Sequence, residues 1–415
     1  MSAVPVLTQQ QGVTHLASIV GTEYVSLRGE ALVAMPCDQQ QIAEILRFAR
    51  ANGLAVTPTG GSTKLDWGSA VAPAIMVGME RLNALREHAW QDMTCTVEAG
   101  CSWNSMQTIL QRHGQMVALD PLWPDQATVG GIAASNDSGA LRLKYGGLRD
   151  LIIGMTIVLA DGTIAKSGGK VVKNVAGYDI HKLMTGSFGT LGVITEVNFR
   201  LHPVEAHART WTARASKGDA VAFEAPLRAL MDSQMSPSSV QIRTSNQECA
   251  MDVRIAGAPA CLDAYGVRLQ GILGGMAVEE SNEAAWRSRQ DLYDERDSLI
   301  LKVSMLPSEM CTVISGWQRW ASEEALTFTS VAQATGLVTV AIGQASDATP
   351  TIIDRLRSRV TERGGSVVAH RIPEVLRSEV SVWGPDADTL PLMREIKQRF
   401  DPTRTLNPGR FVGGI

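Results

Sequence analysis

Glycine placement constrains this chain more than any other feature. From Gly53 to Gly192 the sequence is dense in glycine turns separated by short apolar runs. After Pro203 it changes to longer amphipathic stretches with fewer glycine pairs. Short runs of that kind suit buried strands, and glycine at the junctions permits tight turns and close approach of other groups. Four blocks stand out. They are Thr59-Gly60-Gly61-Ser62-Thr63; Thr128-Val129-Gly130-Gly131, running on to Asn136, Ser138 and Gly139; Ser167-Gly168-Gly169, followed by Lys173-Asn174-Val175-Ala176-Gly177-Tyr178-Asp179; and Gly186 to Thr195. In the first, adjacent glycines and hydroxyls let successive N–H groups converge on an anion such as a pyrophosphate. Taken alone, that loop also reads as an ordinary glycine turn. None of the blocks is a G-x-G-x-x-G turn between strand and helix, and a G-x-x-x-x-G-K-[ST] loop is absent.

The flanking segments read as alternating strands and helices. Ala31 to Met35 is a strand ended by Pro36. Asp38 caps a helix whose Ile42, Ile45, Leu46 and Ala49 fall at helical spacing. Leu54 to Val56 is a second strand running into the first glycine loop, and the two strands are expected to pair in parallel. Cys95 to Val97 and Val193 to Leu201 read as strands, Trp103 to His113 as a helix, and 151–163 as a hairpin opening. Farther on, 220–231, 259–273 and 351–363 read as helices, and 338–342 and 367–369 as strands. That mixture suggests a sheet covered by helices on one face.

Length and charge narrow the classes. A chain of 415 residues accommodates two cores, and 45% hydrophobic with 19% charged residues is the composition of a folded domain. A net charge of -4 argues against general nucleic-acid binding. No apolar run is long enough to cross a bilayer, and no signal-peptide pattern opens the chain, which implies a cytoplasmic location. Cys37, Cys95, Cys101, Cys249, Cys261 and Cys311 are scattered, with neither metal-ligand nor iron–sulfur spacing. They read as reduced thiols.

In order and spacing, the glycine blocks resemble the FAD-binding domain of the vanillyl-alcohol-oxidase, or PCMH, type over roughly residues 28–205. The resemblance implies an α+β fold: a PCMH-type FAD-binding domain of two α/β subdomains, then an α+β cap domain, with a C-terminal tail returning to the FAD domain. The corresponding segments are 1–27, an N-terminal extension; 28–205; 206–390; and 391–415. It also implies that Thr59, Gly60, Gly61, Ser62 and Thr63 bind phosphate. Val129, Gly130, Gly131, Asn136, Ser138 and Gly139 would follow the pyrophosphate and flavin. Glu98, Ala99 and Gly100, with Gly192, Val193 and Ile194, would flank the adenine, and Asn407 would join them from the tail. Relatives with covalent flavin carry a histidine in the first loop. Here none lies between Val56 and Trp67, so non-covalent FAD is expected.

Within that family, the block from Lys173 to Asp179 and the ending Phe400-Asp401-Pro402-Thr403-Arg404-Thr405-Leu406-Asn407-Pro408-Gly409-Arg410 are most similar to the E-subunit branch of the bacterial glycolate oxidases. That implies oxidation of 2-hydroxy acids. The implied partners are a second flavoprotein subunit and an iron–sulfur subunit, with peripheral attachment to the inner face of the membrane through the complex as one possibility. The metal-binding histidine pair of catalytic relatives is missing, and no metal is expected. Such an oxidation needs a cation for the carboxylate and a base for the hydroxyl proton. The candidates are Lys302, His370 and Arg371, with Arg287 and Tyr178 behind them. For each of these, a salt-bridged or purely structural role is the competing reading. Two further readings stand: a stand-alone dehydrogenase of D-lactate, another hydroxy acid or a sugar alcohol, and a structural subunit with a vestigial FAD site.

Overall fold

The computed structural model describes residues 8–169, 177–215, 218–343, 349–374, 377 and 379–415. It divides into two compact units. The first comprises 1–137, 147–204 and 385–415, and the second 138–146 and 205–384. One of the divisions between the units falls between Val204 and Glu205. Two features depart from a simple linear division. The helix Gln9–Val20 buries Leu16 and Val20 in the core of the first unit. Residues 138–146 leave that unit and count with the second.

The first unit holds two main sheets. β1 (Val25–Arg28), β2 (Ala31–Ala34), β3 (Val56–Thr59) and β4 (Ile75–Gly78) form one, in the order β1-β2-β4-β3. The helix Gln39–Ala51 crosses from β2 toward β3. Asp38 caps it by accepting from Gln41 N at 2.8 Å, and Ile42, Ile45, Leu46 and Ala49 are all buried. The expected parallel pair is corrected in one respect: β2 and β3 do not adjoin, because β4 lies between them and pairs in parallel with both. β5 (Leu85–Ala89), β6 (Thr94–Glu98), β8 (Ile152–Val158), β9 (Ile164–Gly168) and β10 (Val193–Arg200) form the second sheet, in the order β5-β6-β10-β8-β9. β8 and β9 make the expected hairpin. β7 (Gln115–Met116) and β11 (His202–Pro203) form a short ribbon.

The second unit is an antiparallel sheet of β12 (Ala208–Arg214), β13 (Ser239–Ser245), β14 (Cys249–Ala256), β15 (Ala277–Ser281), β16 (Leu299–Ser304), β17 (Phe328–Gln333), β18 (Leu337–Ile342) and β19 (Ser366–Arg371). Its order is β15-β12-β14-β13-β17-β18-β16-β19. The alternation of strands sorts its residues by face. Val240, Ile242, Met251, Val253, Leu301 and Val340 share a core with the helices Pro259–Ile272, Met310–Glu323 and Thr349–Thr361. The opposite face is polar and nevertheless buried: Thr212, Gln241 and Asp252 are each at most 2% exposed. Burying a carboxylate requires partners. Asp252 accepts from Thr212 Oγ1 at 2.7 Å, Gln241 Nε2 at 2.8 Å and Arg243 Nε at 2.6 Å.

Candidate functional site

β3 delivers the chain to the first glycine block at the carboxyl end of a parallel strand, a common location for ligands. The loop opens onto a cavity lined largely by small residues. Gly60, Gly61, Ser62 and Thr63 lie on one wall, and Ala99, Gly130 and Gly131 on another. Phe188, Gly189, Gly192 and Ile194 contribute from the fourth block, and Asn407 and Arg410 from the C-terminal segment. All belong to the first unit.

The backbone here supplies donors. The N–H groups of Gly60, Gly61, Ser62 and Thr63 have no hydrogen-bond partner among the described residues. Four successive donors without a protein partner, on residues that line a cavity, have the make-up of an anion nest. The charged residues of the lining are Lys64 and Arg410, and no carboxylate is among them. Lys64 is buried. It donates to Leu122 O at 3.2 Å, stands 3.4 Å from Asp137, and lies near the rings of Trp67 and Trp123. Arg410 donates to the Lys64, Leu65 and Trp67 carbonyls. Burial draws its pKa down to about 10, so it remains a cation at neutral pH.

Strain gathers at the same place. Ser62, Phe188 and Asn407 line the cavity at φ values of 56°, 54° and 41°. Left-handed non-glycine residues cost energy and persist where surrounding contacts hold them. Asn407 is held by Thr57 Oγ1, which donates to its Oδ1 at 2.6 Å, and by its own Nδ2, which donates to Phe188 O at 2.8 Å.

The structure sorts the sequence candidates. Thr59, Gly60, Gly61, Ser62, Thr63, Ala99, Gly130, Gly131, Gly192, Ile194 and Asn407 meet around the cavity. Several neighbours do not, for local reasons. Val193 alternates away from Ile194 into the core, where Val129 is also buried. The Glu98 carboxylate accepts from Arg86 and from Ala84 N. A Cβ on Gly100 would lie 1.8 Å from Met79 O, so this glycine serves chain packing. Asn136 is the left-handed C-cap of the helix Val129–Ser135, outside the lining. Ser138 and Gly139 belong to the second unit, where Ser138 O accepts from Arg289.

The proposed substrate-handling residues all lie in the second unit apart from Tyr178, which is 90% exposed in the first. Lys302 and His370 stand on the polar side of β16 and β19, and Arg287 is exposed. His370 is buried with Nδ1 3.0 Å from Tyr293 Oη. Arg371 carries a structural load: its Nη1 donates to the Tyr293 and Glu295 carbonyls. Lys173 to Ala176 lie outside the described residues. Sequence reasoning missed Lys64, Phe188 and Arg410 as site residues. For Arg410 the signal was present in the L-N-P-G-R ending; for the other two only their adjacency to glycine blocks hinted at it.

Comparison with known proteins accords with this geometry. Residues 31–168 match the FAD binding domain family. The chain is 32% identical over 179 residues to a mitochondrial D-lactate dehydrogenase (cytochrome) of Arabidopsis thaliana, covering 43% of this chain and 31% of that protein. It is 34% identical over 194 residues to the glycolate oxidase subunit GlcD of Bacillus subtilis, covering 46% of this chain and 41% of that protein. These matches thus span well under half the length of those relatives. A D-lactate dehydrogenase of Archaeoglobus fulgidus is 26% identical over 92% of this chain and 91% of its own. Among solved structures, 4-ethylphenol oxidase from Gulosibacter chungangensis superposes with a TM-score of 0.74 at 14% identity, covering 99% of this chain and 98% of that one. The fold is therefore that of a PCMH-type FAD-binding domain with a cap, and the cofactor is FAD.

Proposed function

We propose that this chain is an FAD-dependent oxidoreductase acting on the CH–OH group of 2-hydroxy acids, with FAD held non-covalently in the first-unit cavity. The observation that carries the placement is the run of four orphan N–H groups from Gly60 to Thr63, in a lining whose charged residues are both cations. A pyrophosphate suits such a nest. Among the described residues, neither histidine nor cysteine lines the cavity, in keeping with a cofactor that is not tethered. The substrate class rests on the likeness to D-lactate dehydrogenases and to a glycolate oxidase subunit.

When bound, the flavin supplies acceptance of the α-carbon hydride. The chain must supply a cation for the carboxylate and a group to take the hydroxyl proton. Lys302, His370 and Arg371 are the candidates for those roles, and the Arg371 guanidinium also braces the 293–295 turn. We place the chain as the FAD-binding subunit of a glycolate-oxidising complex, passing electrons to an iron–sulfur partner beside a second flavoprotein subunit. The scattered cysteines support this, since they offer no cluster spacing. The near full-length likeness to a D-lactate dehydrogenase favours a second reading, a self-sufficient D-lactate dehydrogenase.

An anaerobic absorbance spectrum of the purified chain separates these readings. Bleaching by D-lactate and turnover with a dye acceptor, without any partner, supports the self-sufficient enzyme. Bleaching by glycolate, with turnover only after the partner subunits are added, supports the complex. A flavin band that responds to neither acid, alone or with partners, rejects both readings.

A further inference from the structure

Lys397, near the end of the helix Leu390–Phe400, is buried and does not line the cavity. Its ammonium donates to Asp401 Oδ2 at 2.6 Å, Thr190 O at 2.7 Å and Leu406 O at 2.9 Å. An ammonium has three protons, and these contacts match them one for one. The acceptors lie on different segments. Thr190 sits between Gly189 and Gly192, which line one wall, and Leu406 immediately precedes Asn407 on another. Asp401 draws the second segment in further by accepting from Thr405 N at 2.9 Å and Leu406 N at 2.8 Å.

We infer that Lys397 is a positioning residue for the cofactor site. It pins the 189–192 loop to the C-terminal segment, so that Phe188, Asn407 and Arg410 hold their places around the cavity. Without the ammonium, two buried carbonyls and a carboxylate lose their common donor, and the two walls can shift relative to each other. The residue touches no cofactor and acts through the residues it holds. This inference rests on FAD occupying the cavity described above.

The test uses the full chain, stripped of flavin and titrated with FAD by fluorescence quenching. Lys397→Met and Asp401→Asn are compared with Leu16→Ala, a core change in the helix Gln9–Val20 away from the lining. A purely structural role predicts that FAD affinity falls only as far as apoprotein stability falls. A positioning role predicts that Lys397→Met raises the FAD Kd at least tenfold beyond Leu16→Ala at matched loss of Tm. It also predicts a change in the fine structure of the visible flavin band. A smaller excess overturns the inference. Should Lys397→Met fail to fold, Asp401→Asn decides, with at least a threefold excess expected and anything less overturning the proposal. Gly131→Trp is run in parallel: undiminished FAD affinity there removes the cavity assignment, and the inference with it.

Discussion

Individual glycines in this site do different jobs, and Cβ geometry separates them. Gly130 lies against Ala99, just past the end of β6, where a Cβ would come 2.7 Å from the Ala99 Cβ; Gly131 has only Thr128 Oγ1 nearby, at 3.3 Å. A tryptophan at 130 therefore tests packing, whereas at 131 it tests the cavity. Gly131→Trp is expected to lower flavin content at least tenfold with an unchanged far-ultraviolet circular dichroism spectrum, checked by the absorbance ratio of the purified chain. Gly61 is stricter, since a Cβ there would lie 1.8 Å from Gln126 O. Gly61→Ala must displace backbone and should cost about 1–3 kcal/mol in denaturant unfolding.

Among elements, the second unit is organised by two buried carboxylates. Asp252 ties β12, β13 and β14 together on the polar face. Glu205 gathers the 138–146 segment: Tyr145 Oη donates to it at 2.8 Å and Lys144 Nζ at 3.1 Å, and Arg254 stands 3.4 Å away. Burial opposes ionisation of Glu205, yet the hydrogen bonds from Tyr145 and Lys144 and the nearby cations hold its pKa below the usual carboxylate value. A depressed folded-state pKa stabilises the fold above the unfolded pKa, and that contribution is lost as pH falls through the folded value. Glu205→Gln should therefore destabilise the second unit by about 1–3 kcal/mol at pH 7. The gap to the unmodified protein should close as pH drops below about 4.5. Urea unfolding at pH 7, 5 and 3.5 measures it; a gap independent of pH would contradict the assignment.

Among the described residues, each unit has its own hydrophobic core. A ligand bound to the first unit should stabilise its core. Saturation at one hundred times Kd adds about 2.7 kcal/mol. Calorimetry of the flavin-stripped chain should show a transition that moves upward with added FAD. A chain ending at Arg404 loses the Val56–Leu406 bridge together with Asn407 and Arg410. It should purify without flavin, which absorbance at the flavin band would show.

Sequence by itself determined the features that depend on near neighbours. The Asp38-capped helix, the 152–168 hairpin and the glycine blocks follow from capping, alternation and turn chemistry, which act over a few residues. FAD followed from the order and spacing of those blocks, through their resemblance to the PCMH-type FAD-binding domain. Tertiary structure decided what depends on distant partners. It inserted β4 between β2 and β3, and it turned Val193 inward while Ile194 reached the cavity. It engaged Arg371 with backbone carbonyls, and it brought Arg410 to Lys64 across 346 positions of chain. No short-range pattern encodes such meetings, since they arise only when separate elements pack and each buried polar group must find a partner.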